Sequence, residues 1–225
     1  VYFAEQETAG KCLEWVKDHL ALDEINLYLS HQHVASDPES EYESLYEFLI
    51  DSITRVPAGS DGVIFTPWLH GNRAPFEDPN SRGIFFNLSL TTGKRAMVRA
   101  VVEGIFFHHR WLLDSIDRSF PVQGPVSFVG GGAMSPVLAQ MLADILERPV
   151  QRLADPRHAG AAGVAITVGV GLGIIDCFDA ARDYLDVEDR FEPNAAHRET
   201  YRRNYRVFRG LYRANRKAFA LLNST

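Results

Sequence analysis

A short apolar run breaks into three glycines and leads straight into a well-signalled helix: Pro125-Val126-Ser127-Phe128-Val129-Gly130-Gly131-Gly132-Ala133-Met134-Ser135-Pro136. No other stretch limits the fold as much. Gly124-Pro125 and the glycines bound Val126 to Val129 as a buried strand. Ser135 before Pro136 predicts an N-cap with proline at the first helical position. Val137, Leu138, Met141, Leu142, Ile145 and Leu146 then recur at helical spacing. Glycines between a strand end and a helix start let a ligand approach bare backbone, and the helix N-terminus favours negative charge. A nucleotide phosphate site has this chemistry; a turn that needs glycine only for positive φ is the plainer alternative. The glycines are contiguous, with no Gly-x-Gly-x-x-Gly spacing and no acidic ribose ligand at the usual separation, which argues against a Rossmann dehydrogenase. No Gly-Lys-Ser/Thr follows, so this is not a P-loop.

The remaining punctuation lays out an α/β chain. Thr8 is placed to cap a first helix through Leu20, and Ser36-Asp37-Pro38 to start a second that ends near Arg55. Tyr42, Leu45, Phe48, Leu49, Ser52 and Ile53 form the inner side of that second helix. Gly62 to Phe65 reads as a strand, Pro67 to Gly83 as an irregular but ordered loop, and Thr92 to Ser115 as a long helix. Val98, Val101, Val102, Ile105, Phe106 and Leu112 would face the core from that helix. Pro149 to Leu153 is a further strand. Alternating helix and strand imply a central sheet flanked by helices. Ala159 to Ile175 is apolar and uncharged but shorter than the roughly 20 residues of a membrane span. Its Gly160, Gly163 and Gly169 instead predict a helix packed closely on a sheet. Gly104 and Gly163, inside helices where glycine is unfavourable, predict backbone lying against backbone.

Composition narrows the partners. The chain has 225 residues and a net charge of −6, which gives no electrostatic case for nucleic acid. Cys12 and Cys177 are far apart and read as buried, reduced thiols in a cytoplasmic protein. No signal peptide is visible at Val1. His31, His33, His108 and His109 have no Cys, Asp or Glu cluster to complete a metal site and read as structural or surface residues. Residues 195–225 read as a terminal helix. Its aromatic stripe of Tyr201, Tyr205, Phe208, Tyr212 and Phe219 docks on the domain, and its arginines are solvated. Asp78 and Arg82 either form a pair that holds the loop turn or act at an interdomain cleft.

Four blocks in order resemble the FGGY carbohydrate kinases: Gly10 to Asp18, Thr66 to Gly83, Arg99 to Ile105, and Gly130-Gly131-Gly132-Ala133 through Leu146. The resemblance implies a ribonuclease H-like (actin-like ATPase) fold. It makes residues 1–225 the C-terminal nucleotide-binding domain of a two-domain sugar kinase, with the N-terminal sugar-binding domain and the catalytic base outside this chain. It implies ATP with Mg2+ and a sugar substrate, with no nucleic acid or membrane partner and a homodimer left open. Gly131, Gly132 and Ala133 would line the adenine and ribose. Gly10 would allow close approach, and Glu14 would face the same pocket one turn on; no catalytic residue is assigned. The Pro67 to Gly83 loop and the glycine turn look most like the xylulose kinase branch. A kinase for gluconate, ribulose or glycerol, or a non-catalytic actin-like nucleotide-binding module, are the alternatives.

Overall fold

The computed structural model describes residue 6 and residues 8–20, 45–178, 180 and 186–224. The chain divides into two compact units, Val1–Val122 with Ala196–Thr225, and Gln123–Ala195. The predicted second-helix start at Ser36, with His31 and His33, lies outside the described residues.

The first unit holds helices α1 (Ala9–His19), α2 (Leu45–Thr54), α3 (Lys94–Asp117) and α6 (Arg198–Asn223), with strands β1 (Ile64–Thr66) and β2 (Ile84–Phe86). All six core positions predicted on α3 are buried, as are Leu49 and Ile53 on α2. Helix α3 lies hard against β1: a methyl group at Gly104 would stand 2.2 Å from the Phe65 carbonyl oxygen. Strand β1 pairs antiparallel with β2, Ile64 opposite Phe86. Nothing in the sequence marked β2, which is short and partly exposed. Thr8 precedes α1 as expected, but its hydroxyl makes no cap. It donates to the Pro67 carbonyl, tying α1 to the start of the loop.

Helix α6 docks as its aromatic stripe predicts. Tyr201, Tyr205, Phe208, Leu211 and Phe219 are buried. Phe107 packs between Tyr201, Tyr205 and Phe208, and Trp68 meets Phe76, Phe208 and Phe219. A polar knot lies within this apolar contact. The Glu103 carboxylate accepts from Gly59 N–H (3.0 Å), Ser60 hydroxyl (2.8 Å), Arg99 Nε (2.8 Å) and Tyr201 hydroxyl (3.1 Å). Arg99 spends its other nitrogens on the Ile53 carbonyl and the Tyr201 oxygen. Burial pushes the Glu103 carboxyl up while Arg99 and the other donors pull it down. Every partner named is a donor, which favours the ionised form.

The loop from Pro67 to Gly83 is ordered by its own polar groups. Asn72 and Asp78 exchange backbone hydrogen bonds at 3.0 and 2.9 Å, and Asn72 Nδ2 donates to the Ala74 and Phe76 carbonyls. His108 holds the loop from α3, with Nε2 2.8 Å from the Ala74 oxygen and Nδ1 accepting from Trp68 Nε1. Of the two readings for Asp78 and Arg82, the pair that holds the turn does not form. Asp78 accepts from Asn80 N–H and Tyr212 hydroxyl, while Arg82 donates to the Pro79 and Ser81 carbonyls. Backbone acceptors within three residues take up Arg82 Nη1 in place of the carboxylate.

The second unit is a three-stranded mixed sheet in the order β3 (Val126–Phe128), β4 (Val150–Leu153), β5 (Val187–Phe191). Strands β3 and β4 run parallel and β5 antiparallel to β4. Parallel neighbours need a crossover, and helix α4 (Pro136–Leu146) lies on it. The α/β class therefore holds, with the described strands in two small sheets, one in each unit. Strand β3, predicted to be buried, lies at the edge of the described sheet and is partly exposed, with Val129 45% exposed. Helix α5 (Ala159–Gly171) also departs from expectation. Only Ile166 and Gly169 are buried along it, and side chains at Gly160 and Gly163 would meet nothing within 4 Å. Its close contact is at Gly169, where the chain folds back and Ile175 packs. No helix among the described residues is long and apolar enough to cross a membrane.

Candidate nucleotide-binding turn

The glycine turn is built from its backbone outward. Strand β3 ends at Phe128, and Gly130 takes φ 89°, a left-handed value that disfavours any side chain. Its N–H donates to the Pro156 carbonyl at 2.7 Å, joining the turn to the loop after β4. A single 3-10 turn, Gly131–Met134, follows. Ser135 then caps α4 as predicted, its hydroxyl accepting from Leu138 N–H at 3.4 Å, with Pro136 in the first turn.

The three glycine-turn candidates differ in what they offer. Gly131 is exposed, and a side chain there would meet nothing within 4 Å. Gly132 is exposed too, but a methyl would press on the Phe128 ring at 3.1 Å. Ala133 is wholly buried; its N–H bonds to Gly130 and its carbonyl accepts from Arg152. It shapes the turn from beneath, and Gly131 and Gly132 present the open face. Helix α4 has no acidic residue in its first turn, so its N-terminal field is free to act on an anion.

Arg152 is the residue that sequence reading missed. It is 6% exposed. Nη1 donates to the carbonyls of Ala133 (3.0 Å) and Met134 (3.2 Å), and Nη2 faces Glu188 and Asp189 on β5. An arginine in the second of two short strands carried no local sign of this role. Asp144 does similar work on the far side of α4, accepting from Gln140 Nε2 and Asn194 N–H.

Gly10 and Glu14 belong to the first unit and the glycine turn to the second. Both sit exposed on one side of α1, and Cys12 and Val16 are buried on the other. A side chain at Gly10 would meet nothing within 4 Å. Burial pushes the Cys12 thiol up to about 12, which makes it an unreactive core residue. Cys177, expected to be buried, is exposed. No three His, Cys, Asp or Glu side chains converge among the described residues.

The geometry defines an α/β protein with an open glycine turn at a helix N-terminus, where backbone N–H groups and the helix dipole favour an anion. The comparisons with known proteins are specific. The FGGY family of carbohydrate kinases, C-terminal domain, matches residues 1–172. A gluconokinase of Bacillus licheniformis is 31% identical over 91% of this chain and 38% of its own length. A xylulose kinase of Staphylococcus epidermidis is 31% identical over 78% of this chain and 35% of its own. The solved structure of a ligand-bound xylulose kinase from Lactobacillus acidophilus superposes with TM-score 0.77 at 23% identity, covering 97% of this chain and 40% of that one. The chain belongs to the FGGY family of carbohydrate kinases. It spans about two fifths of the length of the relatives it matches.

Proposed function

We propose that this chain is the C-terminal, nucleotide-binding domain of a two-domain, ATP-dependent sugar kinase on the actin-like, ribonuclease H-like fold. The observation that carries the reading is the open face of Gly131 at the head of α4, in a chain of this family. Adenosine would lie on the backbone of Gly131 and Gly132 over the methyl-filled floor at Ala133. The sugar would be held by a part of the protein outside this chain. Transfer of the γ-phosphoryl group needs positioning and charge neutralisation more than covalent chemistry. Closure of two domains would supply the positioning and keep water from the phosphate. A ketose such as xylulose is the proposed acceptor, in keeping with the xylulose kinase relatives. Gluconate is the second reading, because the gluconokinase match extends over more of the chain. A cytoplasmic setting fits the ATP requirement and the two unpaired cysteines.

Calorimetric titration of this chain with ADP tests the site. Gly131 does not occupy the left-handed region and has open space before it, so Gly131→Val leaves the fold intact. The expected result is at least a tenfold loss of affinity, about 1.4 kcal/mol. Equal affinity in the variant overturns the assignment. In the longer protein, ADP release with xylulose and with gluconate separates the two acceptors.

A further inference from the structure

Helices α3 and α6 bound a cleft of about 540 Å³ within the first unit. That volume falls in the range of small-ligand sites. Arg110 comes from α3, and Arg202, Arg206, Arg209 and Arg213 from α6. The steps of four, three and four along α6 put its four arginines on one stripe of the helix. Trp111, Tyr205 and Tyr212 form the floor. The Arg110 guanidinium stands 4.6 Å above the centre of the Tyr205 ring, and Arg209 5.4 Å above that of Trp111.

Acidic groups among the described residues adjoin this face. Asp114 accepts from the Tyr205 hydroxyl at 2.6 Å, and Glu199 lies 3.8 Å from Arg202. Like charges at these helical spacings repel, so the stripe weakens its own helix. The chain as a whole carries a net charge of −6, so this concentration of arginine is not a consequence of composition. Gly210 lines the same cleft in mid-helix, where glycine is unfavourable. A side chain there would meet nothing within 4 Å, so packing does not require the glycine. What its absent side chain leaves is room in the cleft.

We propose that the α3–α6 cleft binds a small phosphate ester bearing at least two negative charges, its phosphate held by the guanidinium groups that rest on the Tyr205 and Trp111 rings. Guanidinium groups match phosphate oxygens two at a time, and stacking on an aromatic ring holds their planes in place. The cleft belongs to one unit, and the proposal does not depend on the nucleotide turn.

Calorimetric titration with inorganic pyrophosphate, glucose 6-phosphate and AMP tests it. Pyrophosphate reads the charge alone, and the other two tell a sugar body from a base. The pair R206Q/R213Q removes two exposed charges, and Gly210→Leu keeps every charge while filling the cleft. Binding of pyrophosphate is expected to weaken at least tenfold in both variants and to persist in Gly131→Val. Equal pyrophosphate affinity in wild type and R206Q/R213Q overturns the proposal. So does loss of pyrophosphate binding in Gly131→Val alone, which would place the anion at the glycine turn. Failure of all three probes to bind overturns it as well. Arginine-dependent binding of anionic lipid vesicles in that case would make the face a membrane surface instead.

Discussion

A methyl group at Gly104 would stand 2.2 Å from the Phe65 carbonyl oxygen, and backbone cannot swing aside as a side chain can. Gly104→Ala is therefore expected to destabilise by about 1–3 kcal/mol despite alanine's better helix propensity. At about 2–4 °C per kcal/mol, the melting temperature should fall by several degrees. Gly163, read from sequence as the same kind of position, faces open space. Gly163→Ala should raise stability by up to about 1 kcal/mol. Thermal melts of the two variants moving in the same direction would defeat this contrast. His108 gives a pH dependence. Burial pushes it from the usual 6.5 to about 4, so the folded chain holds it neutral. Below pH 6.5 the unfolded chain takes up a proton that the folded chain refuses. Its contribution is thus full above pH 6.5 and drains away as the pH falls toward 4. The gap between the two values, at about 1.4 kcal/mol per pH unit, is worth on the order of 3 kcal/mol. Burial drives His109 in the same direction, so part of the dependence will survive without His108. Urea midpoints at pH 7.5 and pH 5 should converge more closely in His108→Gln than in wild type; equal slopes would show that His108 takes no part.

At the scale of elements, the glycine turn is only as rigid as Arg152 makes it. Arg152→Met would leave the Ala133 and Met134 carbonyls and the β5 carboxylates without their common partner. A loss of about 2–3 kcal/mol is expected from hydrogen bonds to a buried charge. Faster amide exchange at Ala133 and Ser135, with weaker ADP binding, should accompany it. Lysine at 152 should recover only part, since an ammonium cannot fork between two carbonyls and two carboxylates. Unchanged exchange at the turn in Arg152→Met would refute the positioning role. The same region shows what short-range pattern can reveal. The α4 cap, its proline and its apolar periodicity were legible because each acts within four residues. Strands β2 and β5 were not. They are short and partly exposed, and their identity comes from partners far away in sequence: Ile84 opposite Thr66, and Phe191 opposite Val150. Helix α5 misled for the converse reason. Its small apolar residues specify a surface that can pack closely but not where that surface is used.

For the molecule as a whole, the sequence by itself determined the family, the α/β alternation, the α6 docking stripe and the glycine turn. Each of these is encoded by neighbours along the chain: a cap three residues from its donor, a period of 3.6, a glycine at positive φ. The tertiary structure alone decided which glycine of the turn has open space before it, that Asp78 and Arg82 part company, and that Cys177 is exposed. It alone assembled the Glu103 knot, which joins residues 98 positions apart at Tyr201, and the arginine cleft, which takes Arg110 from one helix and four arginines from another. A buried charge must find its partners wherever folding brings them, because leaving them in water's absence unpaired costs more than any local preference can return. Periodicity marks the face a helix will bury; only packing decides which side chains that burial places opposite one another.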